Sequence, residues 1–159
     1  MRILQSAAAA AALLSFPARA ASQAPAAGVE HLSAARLDAA ADSLERAHGL
    51  ALPLGDRGAY TYLLIHRDAP GEVEVHRDWA DVMLVRSGAA VVQTGGTVTG
   101  ARETEPGETR GGTAAGATER AIAAGDVLII PAGIPHRVVV APGREVTYVV
   151  VKVRAPAGG

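Results

Sequence analysis

From Tyr60 onward the apolar residues fall in short Val-, Ile- and Leu-rich runs, each closed by a Pro-Gly, Ser-Gly, Gly-Gly or Pro-Ala-Gly break. Runs of this length and composition predict strands over residues 60–66, 72–78, 81–86, 89–94, 127–130, 137–140 and 145–153. Many short strands with turn signals between them predict an antiparallel sandwich or barrel. Upstream the period changes: Leu37, Ala40, Ala41, Leu44 and Ala47 recur at helical spacing. Ser33 can cap that helix at its N-terminus and Gly49 can end it, so residues 33–49 are expected to pack one apolar face on the barrel. Residues 95–124 are dominated by Gly, Thr, Ala and alternating charges, with a turn at Glu105-Pro-Gly-Glu108. A long hairpin or loop is expected there.

Composition narrows this picture. A chain of 159 residues with 49% hydrophobic content is long enough for one core and too short for two ordinary domains. Residues 50–154 are therefore assigned to a single barrel domain. The N-terminus has a basic start at Arg2, an apolar run to Phe16 and a small-x-small site at Ala18-Arg19-Ala20. This predicts a secretory signal peptide over residues 1–20, and hence a secreted or periplasmic protein. The apolar run is about half the roughly 20 residues that a spanning helix needs, so no membrane span is expected after cleavage. Residues 21–32, small and interrupted by Pro and Gly, read as a flexible leader, and residues 155–159 as a disordered tail.

Cysteine is absent, which excludes disulfides, thiolate metal sites and cysteine nucleophiles. Without Arg2 and Arg19, 13 basic residues face 16 acidic ones, a net charge of −3. With no basic block and 3% aromatic content, nucleic acid is not an expected partner. Ser87 lies in Arg-Ser-Gly and not in a nucleophile elbow, which argues against a serine hydrolase.

The candidate chemistry lies in two stretches, Gly71-Glu-Val-Glu-Val-His76-Arg-Asp78-Trp-Ala-Asp81 with Gly88 after six more residues, and Gly125-Asp-Val-Leu-Ile-Ile-Pro131-Ala-Gly133-Ile-Pro-His136. Strand alternation puts Glu74, His76 and Asp78 on one face. A two-residue link at Trp79-Ala80 can fold Asp81 back toward His76, and the rigid Pro131–Pro135 turn fixes where His136 points. His76, Asp78, Asp81 and His136 are the candidate metal ligands, with Glu74 a weaker candidate further along the strand. Imidazole with carboxylate suits Mn, Fe, Zn, Ni or Cu. Each histidine taken alone also suits a hydrogen-bonded strand position. His66 fits a satisfied core position, while His31 and His48 flank the helix without an assigned function. Trp79 is expected to pack outside the barrel.

Over residues 60–153 the chain resembles the cupin superfamily. The second motif is matched from Gly125 through Pro131 and Gly133 to His136, with Val140 where an Asn often stands. In the first motif His76 takes the first histidine position, Asp78 replaces the second histidine, and Asp81 replaces a glutamate separated from Gly88 by six residues. The link between Asp78 and Asp81 is one residue shorter than is common. The resemblance implies an all-β, jelly-roll β-barrel with a short N-terminal helix, usually a homodimer, binding one divalent transition metal inside. It further implies action on a small oxygen-rich substrate by oxygenase, decarboxylase, lyase or isomerase chemistry. The alternative is a non-catalytic periplasmic module that captures a small ligand or metal.

Overall fold

The computed structural model describes residues 28–156. The expected signal peptide, most of the expected leader and the last three residues of the expected tail lie outside the described residues. One helix, α1 (Ala34–Arg46), precedes twelve strands: β1 (Ala51–Asp56), β2 (Tyr60–Arg67), β3 (Glu74–His76), β4 (Trp79–Thr94), β5 (Thr97–Thr99), β6 (Arg102–Glu105), β7 (Glu108–Arg110), β8 (Thr113–Ala115), β9 (Thr118–Ala123), β10 (Val127–Ile130), β11 (His136–Val139) and β12 (Val146–Arg154). Among the described residues no helix is long and apolar enough to cross a membrane.

The long strand β4 organises the barrel. Its first half lies between β12 and β10, in a sheet that continues from β12 to β2 and β1. Its second half pairs with β9 and β11, and that sheet continues from β11 through β3 to β7 and β6. All these pairings are antiparallel. Residues 81–86 and 89–94, expected as two strands, are thus one strand that changes sheet. The change falls at Gly88, whose φ is +73°. A Cβ there would collide with the Glu145 carbonyl, so both backbone angle and space call for glycine.

Between the two sheets lies one apolar cluster that includes Met83, Val85, Val92, Ile130, Val138, Val146 and Val150. Each such side chain contributes about 1.5–3 kcal/mol when removed from water. Helix α1 covers the outer face of β2 with Leu37 and Leu44. Ser33 caps it, its hydroxyl accepting from the Arg36 amide at 3.2 Å. The turn that leaves the helix differs from expectation. His48 takes the left-handed conformation, at φ +48°, and the Gly49 amide donates back to the Leu44 carbonyl.

Two parts of the architecture were not legible as strands. Pro53 disguises β1, but β1 is an edge strand paired only with β2, where a missing N–H is tolerated. In the 95–124 region, β5 pairs with β8 while β6 and β7 form an outer hairpin. That hairpin returns to the barrel, with His76 opposite Glu108 and Glu74 opposite Arg110.

Candidate metal centre

Strand β3 presents Glu74 and His76 on the same inward face, and β11 places His136 directly opposite Glu74. One backbone bond fixes the approach: the Gly133 amide donates to the His76 carbonyl at 2.8 Å. Gly133, at φ +77°, turns the Pro131–Pro135 loop back onto the strand that carries the first histidine. The two imidazoles lie 5.1 Å apart between ring centres. Glu74, His76 and His136 each offer one ligand atom, all within 4.8 Å of one another. Asp81 completes the group, with Oδ2 at 3.5 Å from Nε2 of both histidines.

Each of the four side chains is held from behind. The Glu108 carboxylate accepts from His76 Nδ1, and the Ile134 carbonyl accepts from His136 Nδ1 at 3.0 Å. Both rings therefore carry a proton on Nδ1 and turn Nε2 toward the common point. Lys152 Nζ lies 2.8 Å from Asp81 Oδ1, and Arg110 lies 2.7 Å from Glu74 Oε1. Glu74 Oε2 faces His76, and Asp81 Oδ2 faces both imidazoles while also accepting from Lys152 Nζ at 3.1 Å.

The electrostatics follow from this packing. Burial opposes ionisation of Glu74, but the facing His76 ring, Arg110 and His136 outweigh it and hold the carboxyl at about 2. Burial likewise opposes ionisation of Asp81, and His136 and Lys152 outweigh it, lowering its pKa. For His76, burial favours the neutral ring, while Glu74, Asp81 and Glu108 together raise its pKa.

His76 is 2% exposed, and its Nε2 is the one buried side-chain nitrogen or oxygen among the described residues without a hydrogen-bond partner. Glu74 Oε2 and Asp81 Oδ2 stand 3.4 and 3.5 Å away, beyond ordinary hydrogen-bond length. A buried acceptor left bare costs about 1–3 kcal/mol. A cation among two imidazole nitrogens and two carboxylate oxygens would satisfy it. The residues present fit a divalent transition metal.

No protein-family model matches the chain, nor does any curated protein. Solved structures do match, and they share the cupin jelly roll. A protein of Bacillus halodurans is 16% identical with a TM-score of 0.52, over 74% of this chain and 79% of its own. A protein of Neisseria meningitidis is 13% identical with a TM-score of 0.50, over 74% and 95%. A polyketide cyclase from Streptomyces resistomycificus is 19% identical with a TM-score of 0.46, over 67% of this chain and 66% of the cyclase. The chain folds as a cupin. At these identities the likeness concerns the fold alone.

Within the cupin barrel, three of the four expected ligands come together and Asp78 does not. Strand β3 ends at His76, so alternation stops before residue 78. Asp78 instead sits on the following turn, 42% exposed, in a two-point ion pair with Arg77. Its place in the group is taken by Glu74, two residues before His76. The first motif thus brings Glu74 and His76 to the group as candidate ligands, with four residues between His76 and Asp81. Sequence reasoning also missed Glu108, Arg110 and Lys152. Lys152 carried a signal, because it occupies an inward position after Tyr148 and Val150 in an otherwise apolar strand. Of the remaining candidates, His66 is buried against Thr147 at 3.0 Å, and Trp79 opens β4 with the Arg154 guanidinium 4.4 Å above its ring.

Proposed function

We propose that this cupin holds one divalent transition metal through Glu74, His76, Asp81 and His136, and acts on a small oxygen-rich substrate in the adjoining cavity. The observation that carries this reading is the convergence of two Nε2 atoms and two carboxylate oxygens, on side chains each held from behind by a second group. A bound metal would supply Lewis-acid polarisation of a substrate oxygen. The chain's own residues define the rest. Glu108 and the Ile134 carbonyl fix the orientation of both imidazoles through Nδ1, while Lys152 and Arg110 hold the carboxylates and place positive charge beside the cavity. The apolar wall formed by Leu63, Met83 and Val150 limits water. A filled apolar barrel would turn both Asp78 and Asp81 outward; Asp78 is turned outward, while Asp81 is buried beside an open cavity, which supports a metal-holding site, catalytic or capturing. Oxygenase, decarboxylase, lyase and isomerase reactions are all compatible with such a centre.

The test is elemental analysis of protein purified without chelators or a His tag. Near-stoichiometric Mn, Fe, Zn, Ni or Cu is expected in the wild type and in neither His76→Ala nor His136→Ala. A wild type that contains no metal and takes up none on titration would sink the proposal.

Export and pairing belong to the same proposal. The n-region, apolar run and Ala18-Arg19-Ala20 support cleavage after Ala20, which N-terminal sequencing of exported protein tests. A homodimer is supported by β10, which pairs only with β4 and exposes Val127 and Ile129 at 59% and 66%. Ile129→Lys is expected to shift sedimentation to the monomer, and unchanged sedimentation would discard this interface.

A further inference from the structure

We infer that the cavity beside the metal centre recognises a small carboxylate anion and binds it together with the divalent ion. This rests on the metal reading above and names its substrate class. The cavity has a volume of about 160 Å³, the liquid volume of about five waters. One side is apolar. The other is lined by four cations, Arg67, Arg110, Arg137 and Lys152, and by three carboxylates, Glu72, Glu74 and Asp81. Glu108, behind His76, is a fourth carboxylate. Glu72 is half exposed and pairs with Arg102 at 3.6 Å, so with both imidazoles neutral, as ligation requires, Glu74, Asp81 and Glu108 stand against four positive charges. A divalent ion therefore adds two positive charges to a site that already carries one in excess. An uncompensated buried charge is strongly unfavourable, so the ion calls for an anion to enter with it.

The cations stand where they would receive that anion. Lys152 and Arg110 bond to the same two carboxylates that face the imidazoles. Ligation draws charge from those carboxylates and leaves the two cations facing the cavity less fully paired. Arg67 projects from β2 with its side chain 13% exposed and is only loosely held, by the Tyr148 hydroxyl at 3.2 Å and Glu74 at 3.4 Å. Its five donors exceed those contacts, and a guanidinium fork matches a carboxylate at two points. The apolar wall suits a short hydrocarbon group. The chemistry is thus a carboxylate on a few-carbon skeleton.

The experiment measures binding, not turnover. Acetate and isobutyrate are titrated calorimetrically into mature protein loaded with Mn(II) and into chelator-stripped protein, with acetamide and isobutyramide as uncharged controls. Inorganic phosphate serves as a carbon-free anion. At least one carboxylate is expected to bind the loaded protein tenfold or more tighter than the stripped protein, its amide or phosphate. Because coupling is reciprocal, saturating carboxylate should tighten Mn(II) binding in equilibrium dialysis by the same factor. Arg67→Gln removes a cavity charge and meets the metal-holding group only through its 3.4 Å contact to Glu74. It is expected to lose most of the coupling. Should it lower Mn(II) and carboxylate affinity equally, Arg67 only supports Glu74 and the inference fails at that residue. Mn(II) binding without preference for either carboxylate overturns the inference and leaves the metal centre standing. Failure to bind Mn(II), Zn(II) or Fe(II) at all overturns both.

Discussion

Glu74 has one oxygen on Arg110 and the other toward His76, while both Asp81 oxygens accept from Lys152 and Oδ2 also faces the imidazoles, and these contacts govern how single residues should behave. Asp81→Ala is expected to lose bound metal. Asp78→Ala should retain it in full, since that side chain is spent on Arg77, and elemental analysis of the two variants checks the contrast. The Glu74 carboxyl, held at about 2 against an ordinary value near 4.5, contributes stability that is complete above the ordinary value and lost as pH falls toward 2. The contribution is on the order of 3 kcal/mol. In chelator, urea denaturation of the wild type should weaken more steeply from about pH 6 to pH 3 than that of Glu74→Gln. Parallel curves would refute the argument. The raised pKa of His76 acts in the opposite sense: its stabilising share is complete below the ordinary value near 6.5 and declines as pH rises through the raised one. Protons also compete with the metal for Nε2. Metal affinity should therefore keep climbing above about pH 6.5, and dialysis at a series of pH values tests this.

Among the elements, the β6–β7 hairpin does the least expected work. It looks like a solvated excursion in the sequence, yet it pairs with β3 and brings Glu108 behind His76. Glu108→Ala should lower metal affinity about 10–100-fold without touching a ligand, as measured by competition against a chelator. Gly88→Ala, at a positive φ and against the Glu145 carbonyl, should cost at least about 2 kcal/mol in urea denaturation. Both cases show what the sequence could and could not reveal. The barrel, the helix and the Gly125–His136 motif were legible because they depend on local period and turn chemistry. His76, Asp81 and His136 were legible because those motifs place them. Asp78 was misplaced and Glu74 undervalued because alternation was extended past the true end of β3, which nothing local marks. Glu108 and Arg110 lie more than 30 residues from His76 in a polar segment, and only strand register connects them to it.

At the scale of the whole molecule, a metal bound as proposed would tie β3, β4 and β11 together, so metal binding should be folding energy as well as chemistry. At free metal about 100-fold above Kd, the gain is about 2.7 kcal/mol. Thermal unfolding should therefore shift downward on addition of chelator, and recover on adding metal back. His76→Ala should show neither change. The position of Trp79 adds a different kind of consequence. It is the protein's single tryptophan, and it sits two residues before Asp81. Its cap, Arg154, comes two residues after Lys152, and the two residues pair across β4 and β12. Any rearrangement of the Asp81–Lys152 pair is transmitted along two adjacent strands to one emitter and its cationic lid. The barrel thus carries an intrinsic optical gauge of its own centre, readable as a change in indole emission without any label.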